Sequence, residues 1–135
     1  MELVIDTNII ISAILVKSDL QKIIFNLRTM LYSPEFMLEE IEKYKDEIME
    51  RSKYSETELK ELLAKIFSRI HIIPKEEYQN SCEKARKITP DEKDWPFVAL
   101  GLELNCPLWA NDSDLLKSGD INTITSGQLI QKLNK

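Results

Sequence analysis

Glycine is scarce in this chain, with three scattered residues in 135. That excludes a glycine-rich phosphate cradle, which needs several glycines at fixed spacing. Histidine occurs once, at His71 between Ile70 and Ile72, so a zinc site would lack companions at ligand spacing. The two cysteines, Cys82 and Cys106, form no CxxC pair. This fits a reducing compartment and leaves a disulfide between them open. No apolar run approaches the ~20 residues of a membrane-spanning helix. The chain runs directly into a strand, without a basic segment and cleavage site before it. A cytoplasmic protein with no membrane partner is therefore expected. None of Ser12, Ser113 and Ser126 stands in a nucleophile-elbow pattern. Positive charge is also short: 18 Lys and Arg against 23 Asp and Glu give a net charge of −5. That argues against a strongly basic nucleic-acid coat. It leaves a nuclease open, because bound divalent ions neutralise acidic charge locally.

What the chain does have is a hydrophobic content of 43%, enough for one good core and too high for disorder. One domain over residues 1–135 is expected. Short apolar segments alternate with helical ones. Leu3 to Ile5 reads as a buried strand, and Asp6-Thr7-Asn8 offers capping residues for a helix through Leu15. Leu20, Ile23, Ile24 and Leu27 form a second helical stripe, followed by the strand Met30-Leu31-Tyr32. Ser33 with Pro34 predicts the start of a helix to about Glu50, with Met37, Ile41, Tyr44 and Ile48 on its apolar face. Ser55 and Glu58 form a capping box for a helix to about Arg69, making a helical hairpin. A strand over Ile70–Ile73, a helix over Tyr78–Ile88 and a polar loop over Thr89–Lys93 follow. The remaining expectations are a helix from Asp94 to about Asn105, a strand over Leu108–Ala110, a strand over Ile121–Thr125 and a helix over Ser126–Leu133. Strands separated by helices imply an α/β fold with a parallel sheet covered on both faces.

Four acidic residues stand where such a sheet brings them together. Asp6 closes the first strand, Glu40 lies early in the helix after the second, Asp94 opens a helix, and Asp112 follows Pro107-Leu108-Trp109-Ala110. Loops at the carboxyl ends of parallel strands converge on one crevice. Carboxylates gathered there repel one another unless a cation lies between them, and hard oxygen ligands suit Mg²⁺ or Mn²⁺. Each acid also has a plainer reading. Asp6 and Asp94 are good helix N-caps, with Asp94 placed to cap the N–H of Phe97. Glu40 could be a solvated helix residue, and Asp112 and Asp114 flank Ser113 in a segment suited to a turn. Asn8 could orient a carboxylate or cap a helix. The Lys and Arg residues between Lys43 and Arg69 could follow a nucleic-acid backbone or form a solvated surface interleaved with Glu.

Taken together, Val4-Ile5-Asp6-Thr7-Asn8, Asp94-Trp95-Pro96-Phe97-Val98-Ala99-Leu100-Gly101-Leu102 and Pro107-Leu108-Trp109-Ala110-Asn111-Asp112-Ser113-Asp114 resemble the PIN-domain family of metal-dependent nucleases. The resemblance implies a three-layer α/β/α sandwich with a central parallel sheet. It implies Mg²⁺ or Mn²⁺ held by the catalytic acids Asp6, Glu40, Asp94 and Asp112, with Asn8 and Asp114 in support. It further implies cleavage of single-stranded or structured RNA to a 5′-phosphate and a 3′-hydroxyl. Many short members resemble VapC toxins, often homodimers restrained by an antitoxin, and Ile10, Ile14 and Phe25 are candidates for a dimer interface. Two positions depart from the family pattern. Ala110 stands where a Thr or Ser commonly precedes the last acidic pair, and Gly101 where Ala is usual. Close helix–sheet contact would explain the glycine, which costs about 1 kcal/mol in a helix interior.

Rival classes meet specific obstacles. A phosphoacceptor switch domain would want a lysine near the end of the last strand, and Thr123-Ile124-Thr125-Ser126-Gly127 has none. A haloacid-dehalogenase-like phosphatase would want an Asp where Asn8 stands. A catalytically weak PIN domain serving as a binding scaffold stays open, since a slow enzyme can carry all four acids.

Overall fold

Parallel pairing throughout sets the architecture. A computed structural model describes residues 1–16, 19–111, 115 and 119–134. Within them run β1 (Glu2–Ile5), α1 (Thr7–Val16), α2 (Asp19–Ile24), β2 (Met30–Pro34), α3 (Phe36–Lys43), α4 (Lys45–Ser52), α5 (Glu56–Phe67), β3 (Ile70–Ile73), α6 (Cys82–Ile88), α7 (Trp95–Leu104), β4 (Leu108–Trp109), β5 (Thr123–Ile124) and α8 (Ser126–Leu133). The five strands form one sheet in the order β3-β2-β1-β4-β5, every neighbour parallel. Helices cover both faces, giving the expected α/β/α sandwich. Leu3, Val4 and Ile5 are wholly buried, as a central parallel strand must be. Among the described residues no helix is long and apolar enough to cross a membrane.

The strand order reverses at β1. β2 and β3 extend the sheet to one side, β4 and β5 to the other. Such a switch point leaves a crevice beyond the carboxyl end of the central strand, where the connections diverge. Asp6 is the first residue past β1 and therefore stands at its floor.

Several local expectations hold. The Ser55 hydroxyl accepts from the Glu58 amide while the Glu58 carboxylate accepts from the Ser55 amide, completing the capping box of α5. A second box, formed by Thr125 and Gln128, starts α8 and escaped the sequence reading. Asn105 ends α7 in the left-handed conformation with φ 52°. A Cβ on Gly101 would lie 3.3 Å from the Cys106 carbonyl oxygen, so this glycine accommodates the turn after α7.

Other boundaries move for identifiable reasons. Ser33 does not cap a helix: it is buried in β2 and its hydroxyl donates to the Ile5 carbonyl at 3.2 Å. Pro34 pairs with Ile73 as the last residue of β2, which delays α3 to Phe36. The single helix expected to about Glu50 is two, α3 and α4, divided at Tyr44 with φ −98° and ψ 7°. Met37, Ile41 and Ile48 nevertheless keep their buried face. Leu27 lies beyond α2 and is 88% exposed, because a turn at Asn26 ends the stripe. The helix expected from Tyr78 starts at Cys82, after two 3₁₀ turns over Lys75–Glu77 and Gln79–Ser81. β5 is limited to the two residues that pair with β4, since Thr125 leaves the sheet to cap α8.

Candidate active site

A cavity of about 350 Å³ opens at the carboxyl end of β1, lined by Asp6, Glu40 and Asp94 together with Thr7, Asn8, Tyr44, Arg51 and Lys93. Three of the four acids singled out from sequence thus share one cleft. Asp112 and Asp114 lie outside the described residues, as does Ser113.

Asp6 is 7% exposed. It stands at the start of α1 and lines the cleft. The backbone carbonyl accepts from the Ile9 amide at 3.1 Å in the first turn of α1, and the side chain takes hydrogen bonds from the Thr7 and Asn8 amides. Those bonds favour the carboxylate, yet they are outweighed. Burial, and next the negative charges of Asp94 and Glu40, push the Asp6 pKa up from 3.8 to about 7. A buried acid with two like charges nearby has the same field that attracts a cation.

Glu40 comes from α3 and is half-buried, whereas its neighbour Glu39 is exposed. The Thr7 hydroxyl donates to Glu40 Oε1 at 2.6 Å, tying the start of α1 to α3. Burial raises the Glu40 pKa, opposed by the Thr7 bond and by the charges of Lys93 and Lys43. Sequence reading missed Thr7, treating it as part of a cap; only the fold reveals a partner 33 residues away.

Asp94 occupies the N-cap position of α7, but its side chain makes no capping hydrogen bond. The proposed bond to the Phe97 amide is therefore not formed. Its helical backbone, with φ −84° and ψ −19°, explains this, because a cap side chain reaches the N2 or N3 amide from an extended residue. Asp94 instead lines the cleft and adds its charge to the field at Asp6.

Asn8 is exposed at the rim, and its observed link to Asp6 is through the backbone amide rather than the side chain. Beyond β4, Asn111 Nδ2 donates to Ser126 Oγ at 3.1 Å and Asn111 Oδ1 accepts from the Ser126 amide at 3.0 Å. Trp109 Nε1 donates to the same hydroxyl at 2.9 Å. Ser126 thus fixes the chain just before Asp112, a use unrelated to nucleophilic catalysis. His71 lies on β3 as expected, is exposed and stacks on Tyr32.

The donor set fits a hard divalent ion: carboxylate oxygens, one of them buried and proton-seeking, with no soft ligand among the described residues that line the cleft. Among the described residues, no three His, Cys, Asp or Glu side chains form a ready-made cage. The arrangement is a shared electrostatic field with an orienting hydroxyl. Arg51 from α4 and Lys93 from the loop before α7 bring positive charge to the same cavity.

The sequence model of the PIN domain matches residues 4–134. A crystal structure of VapBC2 from Rickettsia felis, bound to a DNA fragment from their promoter, contains a similar chain. It has a TM-score of 0.62 and 18% identity, covering 93% of this chain and 98% of that one. No curated protein matches.

Proposed function

The chain belongs to the PIN-domain family, and from that premise we propose that it is an Mg²⁺- or Mn²⁺-dependent endoribonuclease acting on single-stranded or structured RNA. The observation that carries the reading is the shared cleft: Asp6, Glu40 and Asp94 meet beyond β1, and Asp94 is not engaged in capping. Asp6 and Asp94, with Asp112 after β4, would hold the ion directly, and Glu40 would complete the site. A bound divalent ion lowers the pKa of water and offsets the charge that develops on a phosphate. Thr7 holds Glu40 by one oxygen, leaving the second oxygen to take the proton of an attacking water. Lys93 keeps Glu40 closer to its ionised, proton-accepting form. Asn8 and Asp114 complete the proposed support of the site.

The direct test is cleavage of a labelled single-stranded RNA with Mg²⁺, Mn²⁺ or EDTA. Metal-dependent products bearing 5′-phosphates support the reading. Absence of cleavage with either ion, alongside intact folding, leaves the chain a binding scaffold.

The likeness to a chain of a VapBC2 complex supports a further part of the proposal, that this protein is the toxin of a cytoplasmic toxin–antitoxin pair. Its production should arrest growth, and co-production of the adjacent gene product should relieve the arrest. A homodimer is also proposed, on a revised surface. Ile10 and Ile14 are wholly buried in the core and are unavailable, whereas Val16, Phe25 and Leu27 are exposed. Light scattering near 15.7 kDa, the mass of one chain, would reject it.

A further inference from the structure

Above the carboxylate floor, α4 and the loop before α7 line the cleft with Tyr44, Arg51 and Lys93, interleaved with Glu47 and Asp91. We propose that Tyr44 is a stacking platform for one unpaired base next to the scissile phosphate, and that Lys93 and Arg51 hold the flanking phosphates. This rests on the ribonuclease reading and narrows its substrate to a locally single-stranded segment.

Three observations carry it. First, Tyr44 lies at the break between α3 and α4, packs against the core and lines the cavity. A stacking platform needs such a fixed aromatic face, because ordering a free side chain would oppose binding. Second, the Lys43 ammonium lies 5.5 Å from the Tyr44 ring centroid. The ring face thus already holds a cation–π contact, the kind of partner an aromatic platform takes. Third, the cavity lining includes two cations, Lys93 and Arg51, beside Asp91 and Glu47, within a protein of net charge −5. Arg51 is 61% exposed and reaches its neighbour Glu47 only at 4.0 Å, a contact that a phosphate readily outcompetes. A cavity of about 350 Å³ suits an extruded base and its immediate backbone better than an intact duplex.

Base stacking on an aromatic side chain makes a specific signature available. The assay is cleavage of a single-stranded RNA dodecamer in Mn²⁺, compared with substrates carrying one abasic residue at successive positions around the cut. For wild-type protein, one abasic position should lower kcat/KM by about tenfold. Tyr44→Leu keeps the apolar packing and removes the aromatic face. It should lower kcat/KM on intact RNA by a similar factor, chiefly through KM, and show no further loss on the abasic substrate. Tyr44→Phe should restore the abasic penalty. Lys93→Ala and Arg51→Ala should each reduce the slope of log kcat/KM against log salt by about 0.7, the value expected per phosphate contact on a single strand. Lys60→Ala, a charge loss outside the cavity, should leave that slope unchanged.

An abasic penalty that persists in full in Tyr44→Leu overturns the platform. Unchanged salt slopes in both cation variants overturn the phosphate contacts. In either case wild-type cleavage that is lost in Asp94→Asn leaves the ribonuclease reading standing. Wild-type protein that cleaves no RNA overturns both.

Discussion

In the absence of metal, acidification from about pH 7 to about pH 5 should stabilise this protein, the opposite of the effect of ion-paired carboxylates. The perturbation is pH, and the group is Asp6. Its pKa is 3.8 as an unperturbed side chain and about 7 in the folded protein. Between those values the native state holds a proton that the unfolded chain has released, so stability falls as pH rises. The contribution is fully present below the unfolded pKa and is lost as pH climbs through about 7. Each pH unit inside the window is worth about 1.4 kcal/mol, and the interval from pH 5 to pH 7 about 3 kcal/mol at most. Glu40, whose pKa is also raised by burial, adds in the same direction. Glu56, held low by Lys45, acts oppositely but only as pH falls below its ordinary range near 4.5. Urea unfolding in EDTA at pH 5, 6, 7 and 8 measures the effect. Asp6→Asn should flatten most of the slope and be more stable than wild type at pH 8, because a neutral amide escapes the field of Asp94 and Glu40. Saturating Mn²⁺ should reverse the wild-type trend, since the ion binds the ionised site and competes with protons. A flat wild-type profile in EDTA, or the same slope in Asp6→Asn, would refute the reasoning.

Asp94→Asn should leave the metal-free melting temperature unchanged or slightly raised, since no side-chain cap is lost, while Mn²⁺-induced stabilisation and RNA cleavage both fall steeply. Cleavage at the wild-type rate would remove Asp94 from the site. Thr7→Val deletes the 2.6 Å bond to Glu40 with little change in shape. It should cost about 1–3 kcal/mol of stability at pH 8 and move the acidic limb of the cleavage profile upward, because that bond favours the Glu40 carboxylate. An unmoved limb would deny Thr7 its orienting role. Gly101→Ala should lower the melting temperature despite a helix-propensity gain of about 1 kcal/mol, since the new Cβ would crowd the Cys106 backbone carbonyl at 3.3 Å; a raised melting temperature would show that the turn relaxes.

The acids illustrate what a sequence can and cannot carry. The shared cleft of Asp6, Glu40 and Asp94 was legible because position in a parallel sheet follows from element order: whatever trails β1 or opens α7 is delivered to the same end. The capping box of α5 was legible because both partners lie within four residues. The break at Tyr44 was not, since Met37, Ile41, Tyr44 and Ile48 continue a helical period across it. The apolar face records what is buried and says nothing of where one helix yields to the next. Pro34 was misplaced for a related reason, because its ring suits both the first turn of a helix and the end of a strand, and pairing with Ile73 decides between them. The hardest case is Asp94. Aspartate is a strong cap and a strong ligand for hard cations, so composition and spacing support both roles equally. The two are separated by backbone conformation: a capping side chain typically reaches the following amides from an extended residue, whereas Asp94 is helical and makes no such bond. Its charge is consequently directed to Asp6, where it helps raise the proton affinity of the buried acid. The same local geometry that withdraws a stabilising cap from α7 therefore contributes to the field that can hold a cation, which is why one substitution at this position can test fold and function separately.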